Sequence, residues 1–252
     1  MAQDPVHQLQ LYLRRAGHLL QGPSLDSTRI DHLDEDGLER YYDAGSRKLE
    51  EVASRLERLT GSELESRTAL DFGCGVGRLA LPLAKRCRHV YGLDISPAVL
   101  READRNAKRM DLNNVEWMEA GRLAELSGRY DLVMSFYVFQ HIPSREGERT
   151  FAMLVRGLRP GGVGAIHMTV RPSRPLTGLF RWTRNTGRRE RPVKRVRGVD
   201  WSYPYMLMHS YSINRLGRLL AEAGVNEWHA RWHETAADGR SNETVTIFFR
   251  KD

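Results

Sequence analysis

Apolar positions along this chain recur in two periods, and the change from one to the other marks its organisation. Leu9, Leu11, Leu13, Leu19 and Leu20 predict a first amphipathic helix, broken by Gly22-Pro-Ser24. Leu49, Val52, Leu56 and Leu59 fall three or four apart, which predicts a longer helix over 38–59 with one apolar face. Short apolar runs then predict strands near 67–72, 89–94, 114–118, 130–136 and 163–169. Helical patterns near 77–87, 97–111 and 145–158 separate them. Such alternation predicts a parallel sheet covered by helices on both faces. Ser96-Pro97 starts one helix, with proline where a missing N–H costs nothing. Pro160-Gly-Gly162 reads as the stop after the helix ending at Leu158. The pattern is interrupted over 171–210 and resumes as a helix from Ser212 to Ala223, closed by Gly224. Strands near 226–233 and 243–250 follow, and Thr244-Val-Thr-Ile-Phe-Phe249 has strand composition.

These boundaries divide the chain into a helical cap (1–60), a core (61–170), an insertion (171–210) and a closing helix with strands (211–252). At 252 residues there is room for one α/β domain with an insertion. Charge changes the picture only locally. Residues 171–197 hold nine Arg and one Lys against Glu190, so the formal charge of +7 belongs to that segment and the remainder is slightly acidic. Cys74 and Cys87 cannot form a disulfide framework and read as reduced thiols. No apolar run approaches the ~20 residues of a membrane span, and the N-terminus lacks a signal-peptide core, so a cytoplasmic protein is expected.

Candidate chemistry begins at Ala69-Leu-Asp-Phe-Gly-Cys-Gly-Val-Gly77, where a buried strand runs into glycines and then a helix. That turn exposes backbone to a nucleotide-like ligand. A dinucleotide fingerprint would place its third glycine at 78, which is Arg78, and no Gly-Lys-Ser/Thr of a P-loop occurs. The second strand, His89-Val-Tyr-Gly-Leu-Asp94, ends in a carboxylate able to accept both hydroxyls of a ribose.

The chain here resembles the class I S-adenosylmethionine-dependent methyltransferases, in the style of stand-alone bacterial small-molecule enzymes. The matching pieces are Leu70–Gly77, Gly92-Leu-Asp-Ile-Ser-Pro97, Tyr130-Asp-Leu-Val-Met-Ser-Phe136 with Gln140-His-Ile-Pro143, and Leu158-Arg-Pro-Gly-Gly162. The resemblance implies a Rossmann-like, doubly wound α/β fold. Its sheet is seven-stranded and mostly parallel, with the last strand inserted antiparallel between the two before it. N-terminal helices and a basic lid insertion are added to that core. The implied cofactor is S-adenosyl-L-methionine, leaving as S-adenosyl-L-homocysteine. Backbone at Gly73 and Gly75 would approach its methionine part. Asp71 would orient the amino group, although a turn or helix cap is the plainer role for it. Asp94 would bind the ribose and Ile95 would pack on adenine. The family's acid after the third strand is replaced by Gly121, so adenine would be held by backbone at Ala120–Arg122, or by Glu119 in a register two residues away. Gly121, Arg122 and Phe136 complete the candidate cofactor set.

Methyl transfer requires an acceptor aimed in line and, for a hydroxyl, a base. His141 is the first candidate base, since neutral imidazole suits work near pH 7. His167 is the second, against the plainer reading of a core histidine. Ser135, Phe136 and Tyr137 follow the fourth strand; His209 and Tyr211 precede the last helix; Tyr41, Tyr42 and Arg47 lie on the preface. Gln140 is a poor metal ligand, and no metal is expected. The Arg segment, with Phe180, Trp182, Trp201, Tyr203 and Tyr205 beside it, suits an acceptor carrying phosphate or carboxylate. It also suits RNA or an anionic membrane surface. The favoured function is methyl transfer, at oxygen, to a small molecule or glycan. RNA or protein methylation is the alternative, with a non-methylating cofactor-binding relative behind it. Ser135-Phe-Tyr-Val138 lacks the Asn/Asp-Pro-Pro pattern of base N-methylation. The oligomeric state has no sequence signal.

Overall fold

The computed structural model describes residues 35–61, 63–64, 66–171, 209–237 and 240–252. The first amphipathic helix and nearly all of the basic insertion fall outside them. Helix α1 (Glu35–Thr60) precedes β1 (Thr68–Phe72), α2 (Ala80–Ala84), β2 (His89–Asp94), α3 (Pro97–Arg109) and β3 (Val115–Glu119). A 3-10 turn (Ala120–Leu126) leads to β4 (Tyr130–Ser135). A second one (Phe139–His141) leads to α4 (Ser144–Gly157) and β5 (Leu158–Arg171). Helix α5 (Ile213–Glu222), β6 (Trp228–Ala237) and β7 (Arg240–Arg250) close the described chain.

The seven strands form one sheet in the order β3-β2-β1-β4-β5-β7-β6. β1 to β5 pair in parallel, and β7 runs antiparallel to both β5 and β6. The chain leaves β1 toward β2 on one side and returns to β4 on the other. The carboxyl ends of β1 and β4 therefore flank the switch point where ligands bind in such sheets.

Alternate residues of the central strands enter different cores, because both faces of a parallel sheet are covered. Leu70, Phe72, Val133, Ile166 and Met168 pack with Phe139, Phe151, Leu154, Leu216 and Leu220 beneath α4 and α5. Ala69, Leu132, Met134, Val163 and Ala165 pack on the other face with Leu49, Val52 and Leu56 of α1, and with Ala80, Leu83 and Leu100. Leu59 departs from its expected face and is 37% exposed, at the last turn of α1. Ser96 Oγ accepts from Val99 N–H at the start of α3, and Gly224 closes α5 at φ +82°.

Two local expectations are corrected. The helix predicted over 77–87 contracts to Ala80–Ala84, because residues 75–79 are committed to turns. Asn114 Nδ2 donates to the carbonyls of Ala84 and Cys87, which closes that helix early. Pro160-Gly-Gly162 does not stand between elements. It lies inside β5, where pairing with β4 shifts register between Tyr130 and Leu132.

Candidate functional site

The glycine turn is clamped to the tip of β2. Gly73 N–H and Cys74 N–H both donate to Leu93 O, at 2.7 and 2.9 Å. Gly75 N–H donates to Asp94 Oδ2 at 3.1 Å, and Ser96 N–H to Asp94 Oδ1 at 3.0 Å. Asp94 thus holds the turn with one oxygen and the entry to α3 with the other. A carboxylate offers about four lone-pair sites, so acceptor capacity remains on both oxygens. Burial raises its carboxyl above the usual range, and the backbone donors oppose that shift.

Two glycines are required for different reasons. Gly73 has φ +77°, and a Cβ there would come within 2.2 Å of Val138 Cγ2. Gly75 has φ +55°, and a Cβ would meet nothing within 4 Å. The first glycine is needed for packing on the β4 loop; the second faces open space.

Asp71, at the end of β1, is only 2% exposed. Its carboxyl accepts from the Ala80 backbone at the start of α2, while its Oδ2 is buried without a hydrogen-bond partner. Burial, then the neighbouring Asp94 charge, pushes its pKa up to about 7. The plain role of helix cap is present here, and one oxygen is left over.

Arg78 stands where a dinucleotide fingerprint would have its third glycine, and the fold gives it a place of its own. Its guanidinium lies 5.7 Å from the Tyr41 ring and 5.5 Å from the Tyr137 ring, bridging α1 and the β4 tip. Among the described residues no carboxylate is ion-paired with it, although its charge reaches buried Asp71. Tyr137 is 48% exposed and holds φ +64°, a strained value for a non-glycine residue of the kind that collects at functional sites. No sequence pattern announced that backbone.

Beside Tyr137 a run of rings crosses the sheet. His167 lies 4.8 Å from Tyr137, stacks on Phe136 at 6.1 Å and faces His233 at 6.2 Å. Lys48 Nζ stands 5.2 Å over Phe136. Burial, aided by His233 and Lys48, lowers the His167 pKa to about 4, so its imidazole is neutral at pH 7. His233, on β6, was not singled out from sequence; its Nε2 is 3.0 Å from Thr246 Oγ1.

The remaining candidates divide. Ser135 Oγ donates to Phe72 O inside the sheet, and the Tyr211 hydroxyl donates to Phe139 O and Ile142 O. Both are therefore occupied in holding strands and turns. His209 N–H donates to Gln140 O, which ties the end of the insertion to the His141 turn. His141 is half-buried, with its Nε2 3.1 Å from Gln140 Nε2. If the amide donates there, the neutral ring carries its proton on Nδ1. Ile95 packs at the margin of one core, and Gly121 and Arg122 start the turn after β3. Arg122 is exposed and bonded to Glu125. Among the described residues no group of three His, Cys, Asp or Glu can hold a metal ion, and no helix is long and apolar enough to cross a membrane.

Residues 69–162 match the family model described as "Methyltransferase domain". Over 88 residues the chain is 38% identical to the chloroplastic magnesium protoporphyrin IX methyltransferase of Arabidopsis thaliana, covering 34% of this chain and 28% of that protein. It is also 38% identical over 85 residues to the magnesium-protoporphyrin O-methyltransferase of Synechocystis, covering 33% and 37%. The aligned part therefore spans about a third of the length of these relatives. The crystal structure of the Synechocystis magnesium protoporphyrin IX methyltransferase with bound S-adenosylhomocysteine superposes with a TM-score of 0.58 at 22% identity, covering 90% of this chain and 94% of that one.

Proposed function

We propose that the protein is a class I S-adenosylmethionine-dependent methyltransferase, a reading supported by the match of residues 69–162 to a methyltransferase-domain model, and that it transfers a methyl group from S-adenosylmethionine to a small-molecule or glycan acceptor, at oxygen. The observation that carries this reading is charge complementarity around the glycine turn. The cofactor's amino-acid end carries an ammonium and a carboxylate. Asp71 offers a buried oxygen lacking a partner, and Arg78 a guanidinium held between two tyrosines. Asp94 retains acceptor capacity for a ribose, and Gly75 leaves room that a side chain would fill.

When bound, the cofactor supplies an electrophilic methyl group on a sulfonium. The chain's residues do the rest. Asp71 binds the ammonium, Arg78 balances the carboxylate, and Ile95 and Phe136 exclude water. A hydroxyl acceptor must lose its proton, and His141 or His167 takes it. The relatives whose names specify magnesium protoporphyrin support a small-molecule acceptor. Lys48 and Arg78 beside the ring run, with the Arg-rich 171–197 segment, favour an acceptor bearing an anionic group.

Calorimetry with S-adenosylhomocysteine tests the donor. Absence of binding removes the proposal. Radiolabelled methyl incorporation into an extract, fractionated as small molecule, lipid, RNA and protein, tests the acceptor. Label in the small-molecule or glycan fraction is expected, and label in RNA or protein alone overturns that part.

A further inference from the structure

The opposite end of the sheet carries a second charged feature that the methyl-transfer reading does not use. Arg67 immediately precedes β1, Arg88 precedes β2, Arg129 precedes β4, and Arg159 is the second residue of β5. These are four neighbouring strands, in the order β2-β1-β4-β5. At about 4.8 Å between strands, four arginines stand along roughly 14 Å at the amino-terminal foot of the sheet. A cavity of about 410 Å³ opens there, lined by Arg88, His89, Tyr91, Glu116, Arg129 and Arg159.

The charges in this row are poorly compensated. Arg88 Nη2 donates to Thr68 Oγ1, a neutral partner, at 3.0 Å. Arg129 lies 5.4 Å from the centre of the Tyr91 ring, packed on an aromatic face. Arg159 Nη1 is 3.5 Å from Asp131 Oδ2, and Asp131 Oδ1 is already taken by Thr68 N–H. Arg67 does not line the cavity and is only 9% exposed; its Nη1 donates to the Asp131 carbonyl, and its Nε is buried without a partner. Glu116 is the carboxylate on the cavity wall, 4.0 Å from His89 Nε2. Among the described residues the four guanidinia thus stand near three carboxylates, Asp131, Glu116 and Glu125, and one donor is left unsatisfied.

We propose that this foot is a binding site for an oligophosphate: a chain of two or more linked phosphates, free or as the tail of a nucleotide. Guanidinium forks at strand spacing match successive phosphate oxygens, and bidentate pairing favours them over single small anions. The site lies at the other end of the sheet from the glycine turn, so its occupancy is independent of the methyl donor.

The test is calorimetry on the full chain at low salt with inorganic phosphate, pyrophosphate and tripolyphosphate. Tripolyphosphate is expected to bind at least tenfold more tightly than phosphate, with affinity falling as salt rises. The double variant Arg88→Gln/Arg129→Gln is expected to lose at least tenfold of that affinity while binding S-adenosylhomocysteine as the parent does. The latter arm also reports that the variant folds. Should it fail to fold, Arg88→Lys/Arg129→Lys replaces it: charge is kept, the forks are lost, and weaker tripolyphosphate binding is expected. Equal affinity for ATP and tripolyphosphate assigns the site to the phosphate chain alone, and tighter ATP to a nucleotide. Equal affinity for phosphate and tripolyphosphate overturns the proposal. So does tripolyphosphate binding unchanged in the folded variants, since the anion then sits on other arginines.

Discussion

Asp71 shows how one side chain can be structural and still primed for a ligand. One oxygen caps α2, and burial leaves the carboxyl with a pKa of about 7. In the unfolded chain an aspartate titrates near 3.9. Between those values the folded state holds the extra proton, so this group makes stability fall as pH rises from about 4 to about 7. The full effect is on the order of 4 kcal/mol. His167 has the opposite sign. Its folded pKa of about 4 lies below the ordinary 6.5, so stability rises through that interval. Asp71→Asn keeps an oxygen for the Ala80 N–H and removes the titration. Urea unfolding at pH 5, 6, 7 and 8 should therefore show the variant gaining on the parent as pH rises, and parallel profiles would refute this account. His167 is tested through rate. If it is the base, the acid limb of kcat/KM lies near pH 4, and His167→Phe lowers kcat by about 10²-fold or more. A limb nearer neutrality, with His167→Phe active, assigns His167 to the ring stack and the proton transfer to another group.

At the scale of elements, the glycine turn contains two positions that sequence treats alike and geometry separates. Gly73→Ala forces a Cβ against Val138 at positive φ, and should cost about 2–4 kcal/mol in unfolding free energy. Gly75→Ala meets open space and pays only the positive-φ penalty, roughly 1–2 kcal/mol. Its expected cost is in cofactor affinity, at least tenfold, because the new methyl group enters the space a ligand would use. Thermal melts paired with S-adenosylhomocysteine titrations separate the two, and equal stability losses would count against the distinction. The turn and the parallel strands were legible because a buried strand ending in glycines is constrained locally. The short α2 was not, since its ends are set by Asp71 and Asn114, and Asn114 lies 30 residues away from the Ala84 carbonyl it caps. The Arg78 clamp was equally hidden: Tyr41 and Tyr137 come from elements nearly a hundred residues apart, and no local pattern encodes their approach. The role of Tyr211 was hidden for the same reason, because its hydroxyl proton goes to carbonyls of residues 139 and 142 that only folding brings near.

Across the whole molecule, a sheet whose first five strands run in parallel has two unlike ends. The carboxyl ends of β1 and β2 carry Asp71 and Asp94, and the amino ends carry the arginine row. The place of β7, antiparallel between β5 and β6, was implied by the family resemblance, whereas the arginine row needed the topology to bring distant strand starts side by side. The consequence for stability is a ligand effect that can be assigned to one end. S-adenosylhomocysteine at a hundred times its Kd should stabilise the fold by about 2.7 kcal/mol. For a domain of this size that raises the melting temperature by roughly 5–10 °C. Asp94→Ala removes a charged acceptor and should weaken binding by about 1–3 kcal/mol, so at the same ligand concentration roughly a third to nine-tenths of the shift disappears. The same variant also releases Gly75 N–H and Ser96 N–H from the β2 tip, so its ligand-free melting temperature should fall as well. Arg88→Gln/Arg129→Gln, at the other end, should keep the full shift, because distant sites with no shared partners act additively. Differential scanning calorimetry of the three proteins, each with and without ligand, decides the matter. A shift that survives Asp94→Ala undiminished would place the ligand away from the glycine turn.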